Sequence, residues 1–228
     1  MIRVFLIILF IFISYSSANA VSGVADKYEV TMKKVELCQS SQCQAPTEVA
    51  SGTQAVNIAS LNAGAEAAKF GSTSGLPIGK SYSHLRVTLN RAFTIEGEVQ
   101  VQGNNWCSTD AASAGTATAL HTGTLDTDGT PTDGTDQTLF LANEGSYGAS
   151  NGINISYGNL TSAISLKFSS ATEVQLIYAL SNTYTVGLVS PKIKVVFDVS
   201  SALGAGIDSG NNCLMWPEEP KVSITLTE

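Results

Sequence analysis

Four carboxylates lie close together in a glycine-spaced segment near the middle of the chain. Asp126, Asp128, Asp133 and Asp136 fall within eleven residues. Carboxylate oxygens are the ligands that Ca²⁺ prefers in proteins, so these four residues are the candidate metal site and Ca²⁺ the candidate ion. The segment lacks the closing glutamate of an EF-hand loop, and a solvated acidic loop is the alternative interpretation.

The two tryptophans each lie beside a cysteine. Trp106 precedes Cys107, and Trp216 follows Cys213 by three residues. If those cysteines pair, the two indoles are held near each other and form a candidate platform for stacking a sugar ring. The alternative is a pair of core residues packed on a disulfide, which is common in β-sandwiches.

Groups that could perform catalysis are scarce. The chain has two histidines, His84 and His121, and no Gly-x-Ser-x-Gly nucleophile motif. His84 falls on the polar side of a predicted strand, and His121 lies in a segment of low complexity. Glu96 and Glu98 are about 7 Å apart on one strand face, where a pair of solvated side chains is the alternative interpretation. The sequence therefore predicts a protein that is not an enzyme.

Residues 1–20 have the organisation of a secretory signal peptide. Arg3 precedes an apolar run over residues 4–13, and Ala18-Asn19-Ala20 is a small-x-small cleavage site. The apolar run is too short to span a bilayer comfortably, which favours cleavage over anchoring. We therefore expect a mature chain of residues 21–228 that is secreted, at the cell surface, outside the cell or in the periplasm, and is not an integral membrane protein.

The four cysteines are predicted to form disulfides. An even number of cysteines behind a secretion signal is typical of this, and four cysteines allow three pairings. We favour Cys38–Cys43 and Cys107–Cys213, because residues 38–43 suit a short loop between two strands. A zinc site is the alternative, but the spacing and the two histidines do not match one.

The charge distribution excludes one class of partner. The net charge is −7, and residues 92–166 contain no Lys or Arg. Phosphate backbones are bound by clustered cations, so nucleic acid is not an expected partner.

The clearest strand pattern runs over residues 81–102, where the odd positions from Leu85 to Val101 carry apolar side chains except at Arg91 and Gly97. Alternation of this kind predicts a half-buried strand. The pattern continues through Asn90 and Arg91, which allows either a three-residue hairpin loop or one long bent strand. Further strands are predicted at residues 28–37 (with a bulge), 47–60, 138–141, 153–157, 163–168, 173–180, 192–199 and 222–226.

The remaining segments complete the predicted fold. Residues 62–70 are alanine-rich and predict the single short helix, and residues 108–137 predict a long acidic excursion of low complexity. About ten short strands with Gly, Asn and Ser turns indicate an all-β protein. We predict one antiparallel β-sandwich domain over residues 21–228, Ig-like or jelly-roll-like.

Two segments in the first part of the chain carry a family resemblance. Residues 28–38, and residues 76–89 with their Leu76-Pro77-Ile78-Gly79 turn and Tyr82-x-x-x-Arg86-Val87 strand, resemble uncharacterised secreted bacterial β-sandwich domains. The resemblance implies a sandwich at the cell exterior and brings no catalytic residues.

Two functions are compatible with these features. The first is a structural or adhesive subunit of the cell surface or of an extracellular polymer, which self-assembles when residues 21–27 or the strand at 222–226 join the sheet edge of a neighbour. The alternative is an extracellular module that binds a glycan or another ligand, with calcium where the acidic segment takes part.

Overall fold

The computed structural model describes residues 20–60, 73–112, 121–141 and 160–227. These residues form antiparallel β-strands and contain no helix. No helix among them is long and apolar enough to cross a membrane. The strands are β1 (Val21–Gly23), β2 (Lys27–Cys38), β3 (Thr47–Asn57), β4 (Ser81–Asn90), β5 (Ala92–Glu96), β6 (Glu98–Gln102), β7 (Asn105–Ser108), β8 (His121–Thr122), β9 (Thr124–Asp126), β10 (Gln137–Phe140), β11 (Ala163–Phe168), β12 (Glu173–Thr185), β13 (Lys192–Asp198), β14 (Leu203–Ile207), β15 (Cys213–Pro217) and β16 (Lys221–Thr227).

Three of the predicted segments lie outside the described residues. They are the first nineteen residues of the predicted signal peptide, the helix at residues 62–70 and the strand at residues 153–157. These predictions stay predictions.

The largest sheet has seven strands in the order β10-β5-β2-β4-β12-β11, with β3 also paired to β2. Strands β4 and β5 pair with one and the same neighbour, since Leu89 lies opposite Met32 and Ile95 lies opposite Tyr28 on β2. Residues 81–96 therefore form the long bent strand, and the three-residue hairpin does not form. The bend falls at Arg91. There the neighbour on the side away from β2 changes from β12 to β10.

The predicted bulge in the first long strand is confirmed. The register of β2 against both β3 and β4 shifts between Met32 and Lys34. A bulge places two residues opposite one and reverses which side chains face inward. Val30 and Met32 before the shift and Val35 and Leu37 after it thus serve the same apolar face.

Three smaller sheets complete the described fold. Their strand orders are β1-β14-β15-β8, β6-β7-β9 and β13-β16. Six of their strands, namely β1, β7, β8, β9, β14 and β15, were not predicted from the sequence. They are two to five residues long, and β15 is buried along its whole length. A strand buried on both faces shows no alternation, so its sequence carries no period of two.

Both predicted disulfides are confirmed. Cys38–Cys43 closes the loop between β2 and β3, and Cys107–Cys213 joins β7 of the three-stranded sheet to β15 of the four-stranded sheet. The long bridge therefore crosses between sheets, whereas the short one is local.

The hydrophobic core is one connected cluster with members in all four sheets. Val174 belongs to the seven-stranded sheet, Ile224 to the two-stranded sheet, Leu203 to the four-stranded sheet and Val99 to the three-stranded sheet. Packing in one cluster links the sheets that the chain visits at distant points in its sequence.

The sequence predicts an acidic excursion over residues 108–137, whereas the described part of this segment pairs with other strands. This part contains β8 and β9, which pair with β15 and β7. Thr109, His121 and Gln137 are buried. Hydrogen bonds satisfy Thr109 Oγ1, the Gln137 side chain and His121 Nε2, while His121 Nδ1 has no partner among the described residues. Composition alone does not reveal that such polar residues are buried.

Candidate functional site

An apolar cavity of about 430 Å³ lies between the seven-stranded sheet and the β13–β16 pair. Side chains from both sheets form its walls. Val35, Val87 and Leu166 contribute from the large sheet, and Ile193 and Val195 contribute from the pair. All five are only partly buried although they pack against the core. They are therefore apolar side chains whose packing leaves a space.

The cavity follows from the number of strands on its two sides. Strands β13 and β16 present one apolar face, in which Val195 lies opposite Ile224 and Phe197 lies opposite Val222. Two strands are too narrow to cover the inner face of a seven-stranded sheet, because neighbouring strands are only about 4.8 Å apart. Among the described elements, part of that inner face is left without a packing partner.

Two hydroxyl groups in the cavity wall are already hydrogen-bonded within the protein. The Tyr28 hydroxyl donates to the backbone carbonyl oxygen of Glu218 at 2.9 Å. The Thr73 hydroxyl donates to the carbonyl oxygen of Pro191 at 2.5 Å. With these groups satisfied, the wall offers mainly apolar contact to a ligand.

Two adjacent carboxylates border the cavity and have structural partners. Glu218 accepts a hydrogen bond from Trp216 Nε1 at 2.6 Å, and burial raises the pKa of Glu218 above its ordinary value. Glu219 accepts from the backbone N–H groups of Thr161, Ser162 and Ala163 and so fixes the start of β11. Both carboxylates therefore have a structural role, since their hydrogen bonds connect segments of the cavity wall.

Three of the four aspartates of the candidate metal site have partners of their own, and these partners differ. Asp126 accepts from the Thr132 backbone N–H at 2.9 Å, and Asp128 accepts from the Thr130 N–H at 3.0 Å. Asp136 forms an ion pair with Lys27 at 2.6 Å. Within the described ranges, which include this whole segment and Asp133, no three His, Cys, Asp or Glu side chains form a group that could hold a metal ion. This arrangement therefore does not support the calcium hypothesis.

The two tryptophans lie on different sheets and in different environments. Trp106 on β7 is partly exposed, whereas Trp216 on β15 is 2% exposed. The Trp216 ring lies so close to Gly204 that a Cβ atom at this glycine would come within 2.1 Å of Nε1. A buried ring cannot stack on a sugar, so Trp216 is a core residue, and Trp106 alone remains as a platform candidate.

The two histidines and the glutamate pair are held in separate surroundings. His84 Nδ1 hydrogen-bonds the Ser83 hydroxyl at 2.7 Å. His121 is fully buried on β8, accepts from the Phe140 N–H at 2.8 Å, and has its pKa lowered by burial. His121 lies in the segment of low complexity, yet its strand β8 pairs with β15. Of the glutamate pair, Glu98 accepts from the Gly134 N–H.

The apolar strands that line the cavity could be identified from the sequence, but the cavity itself could not. The period of two predicts which side chains face inward, and it contains no information on the distance to the facing sheet. The one available signal was the low number of apolar strands predicted after residue 190 compared with those before it.

Comparison with known proteins gives no match: no protein-family model, no curated protein and no solved structure is similar to this chain.

Proposed function

We propose that this chain is a secreted, non-enzymatic binding module that holds an apolar small molecule in the cavity between the seven-stranded sheet and β13–β16. The observation that carries the proposal is the 430 Å³ of space between apolar walls. Pockets for small ligands typically measure about 300–1,000 Å³ and are lined mostly by apolar side chains.

The exposure of the wall supports an occupant. The space is partly open, and Val35, Val87, Leu166, Ile193 and Val195 are only partly buried. A bound molecule that covers these apolar side chains removes their surface from water, which is favourable by about 25 cal/mol per Å².

The chemistry of the walls favours a hydrocarbon chain as the ligand. Each buried methylene contributes about 0.8 kcal/mol, and a flexible chain adapts its conformation to the space between two sheets. Glycan binding, by contrast, depends on exposed aromatic faces and free polar groups, and Trp106 is the one tryptophan with an accessible surface.

The fold and location proposals accompany this function. We assign the facing sheets to an Ig-like or jelly-roll-like β-sandwich in one domain over residues 21–228, behind a signal peptide at residues 1–20. Two disulfides support an oxidising compartment, since cytosolic thiols are kept reduced.

The test is a titration of the oxidised protein from Val21 with cis-parinaric acid, a fatty acid whose fluorescence rises in apolar surroundings. The variant Val195→Phe places a larger side chain in the cavity, and we expect at least about tenfold weaker binding. The matched control is Val196→Phe, the same change at the next residue, whose side chain points to the other face of β13. The proposal fails if the wild-type protein shows no saturable binding or if both variants bind equally.

The structural or adhesive subunit is the second proposal, favoured by the edge strand β11. Among the described strands it ends the seven-stranded path, and it carries Ile164, which is 48% exposed. The two segments expected to reach a neighbour are paired within their own chain, because Val21 lies opposite Ala205 and Val222 lies opposite Phe197. Assembly would therefore use the β11 edge.

Size-exclusion chromatography with light scattering tests this second proposal. Large assemblies that revert to single chains in Ile164→Lys support it, because a charge on an edge strand opposes strand pairing. A wild-type protein that elutes with the mass of one chain contradicts it.

A further inference from the structure

Three aliphatic side chains are concentrated on two neighbouring loops. Ile78 is 69% exposed, Leu188 is 91% exposed and Val189 is 57% exposed. They make up three of the five exposed large hydrophobic side chains in the described residues. We call these three residues the apolar tip. Single exposed apolar residues are ordinary, but a group of them on adjoining loops indicates an interaction site.

Backbone hydrogen bonds hold the two loops of the apolar tip together. The Gly79 N–H donates to the Val186 carbonyl oxygen at 2.8 Å, and the Val186 N–H donates to the Lys80 carbonyl oxygen at 2.9 Å. Ile78, Leu188 and Val189 therefore belong to two loops that are hydrogen-bonded to each other.

The same two loops also contribute to the wall of the cavity. Thr73, which begins the first loop, and Pro191, which ends the second, both line the cavity and are hydrogen-bonded to each other. Lys192 lines it as well. The apolar tip thus adjoins the cavity wall at this end of the β13–β16 pair.

The charges around the apolar tip differ from those of the rest of the chain. Residues 73–80 and 181–192 contain Lys80 and Lys192 and no Asp or Glu, whereas the whole chain has a net charge of −7. Lys192 is exposed, whereas Lys80 is half-buried and its ammonium donates to the Thr47 hydroxyl at 3.2 Å. Exposed aliphatic side chains beside an exposed cation complement an anionic bilayer, because the side chains enter the hydrocarbon boundary and the Lys192 ammonium meets the headgroups.

We propose that the apolar tip docks on an anionic lipid bilayer, and that the ligand of the cavity passes between bilayer and protein at this place. The docking stands on the exposure and charge of the two loops. The passage of ligand rests on the proposed function. Docking at the cavity wall would let an apolar molecule move between two apolar environments without crossing water.

The experiment is co-sedimentation of the oxidised protein from Val21 with vesicles of phosphatidylcholine alone and of equimolar phosphatidylcholine and phosphatidylglycerol. The test variant is Ile78→Ser/Leu188→Ser/Val189→Ser. The control variant is Val24→Ser/Ile164→Ser, which changes the other two exposed aliphatic residues. We expect binding to the anionic vesicles, at least about tenfold weaker binding in the test variant, and unchanged binding in the control.

Several outcomes would overturn the docking proposal. Absence of wild-type binding to anionic vesicles is one, and equal binding of the test and control variants is another. If the wild-type protein self-associates without lipid and the test variant does not, the apolar tip contacts a second copy of the chain instead.

The test separates this proposal from the proposed function. Val195→Phe should bind vesicles as the wild type does, and the Ile78→Ser/Leu188→Ser/Val189→Ser variant should bind cis-parinaric acid in solution as the wild type does. Failure of parinaric acid binding in the wild type overturns the cavity function and the passage of ligand, and leaves docking standing. Failure of sedimentation overturns docking and the passage of ligand, and leaves the cavity function standing.

Discussion

Arg91 is a charged residue at a position where the strand pattern requires a core side chain. Its guanidinium donates to the Leu141 carbonyl oxygen from Nε at 2.9 Å and from Nη2 at 2.6 Å. The charge lies over the rings of Phe140 at 5.2 Å and Phe168 at 4.1 Å. These contacts connect the bend between β4 and β5 to β10 and β11, so the side chain fixes the point at which the sheet changes partners.

Replacing Arg91 by Leu should destabilise the protein by roughly 2–4 kcal/mol, because the buried carbonyl of Leu141 loses both side-chain donors. The stability of Arg91→Lys should lie between that of Arg91→Leu and that of the wild type, since an ammonium keeps the charge but lacks the planar two-donor geometry. Urea unfolding measures the difference, with the exposed Lys194→Leu as the control, expected within about 0.5 kcal/mol of wild type. An Arg91→Leu protein as stable as the wild type would contradict this role.

His121 should make folding sensitive to mild acid. Burial lowers its pKa in the folded state, while the unfolded chain keeps the ordinary value of about 6.5. Below that pH the unfolded state takes up a proton that the folded state does not, so the stability present above it is lost as the pH falls. We expect a lower free energy of unfolding at pH 5 than at pH 7.5.

The variant His121→Gln keeps an acceptor for the Phe140 N–H and has no titrating ring, so its stability should depend less on pH over this range. The raised pKa of Glu218 has the opposite effect, because it makes the folded state more stable as the pH falls. The difference between variant and wild type is therefore the readout. Parallel pH curves for His121→Gln and wild type would refute the prediction.

At the scale of elements, the two disulfides should contribute unequally. Cys107–Cys213 closes a separation of 106 residues and Cys38–Cys43 a separation of 5. In the chain-entropy account, loops of these lengths correspond to about 4.7 and about 2 kcal/mol. We expect Cys107→Ala/Cys213→Ala to lower the denaturation midpoint clearly more than Cys38→Ala/Cys43→Ala. Equal losses would show that the long bridge does not restrict the unfolded chain as proposed.

The strands that alternate clearly could be predicted from the sequence, and six of the short strands could not. β11 and β13 match their predicted ranges closely, because each alternates over six or seven residues. β14 reads Leu-Gly-Ala-Gly-Ile and is buried at four of its five positions, so small residues on two covered faces conceal the period. This strand pairs with β15 in a hairpin and with the distant β1, and no local pattern shows the second pairing.

The candidate sites were predicted less well than the strands. A run of aspartates or a tryptophan beside a cysteine shows which chemistry is available, but the geometry of the folded chain decides whether it is used. Asp126 and Asp128 accept hydrogen bonds from residues two to six positions further along the chain, which is the usual role of aspartate in turns. The cavity depends on the spacing of two sheets, and that spacing is a property of the whole fold.

At the scale of the whole molecule, the connected core predicts that the four sheets unfold together. Val99, Leu203, Val174 and Ile224 belong to four different sheets and one cluster, and Cys107–Cys213 links two of those sheets covalently. Unfolding one sheet would expose the apolar surface of its neighbours, so partly unfolded states should be poorly populated.

Urea unfolding followed by two probes tests this cooperativity. Fluorescence of a Trp106→Phe variant reports on Trp216 in the four-stranded sheet, and far-ultraviolet circular dichroism reports mainly on the larger seven-stranded sheet. We expect transitions with one midpoint and one slope, because loss of packing around Trp216 removes support from the shared core. Two separated midpoints would mean that the sheets are independent units. The single-domain prediction would then be wrong, and the cavity would have to be studied in the seven-stranded and two-stranded sheets alone.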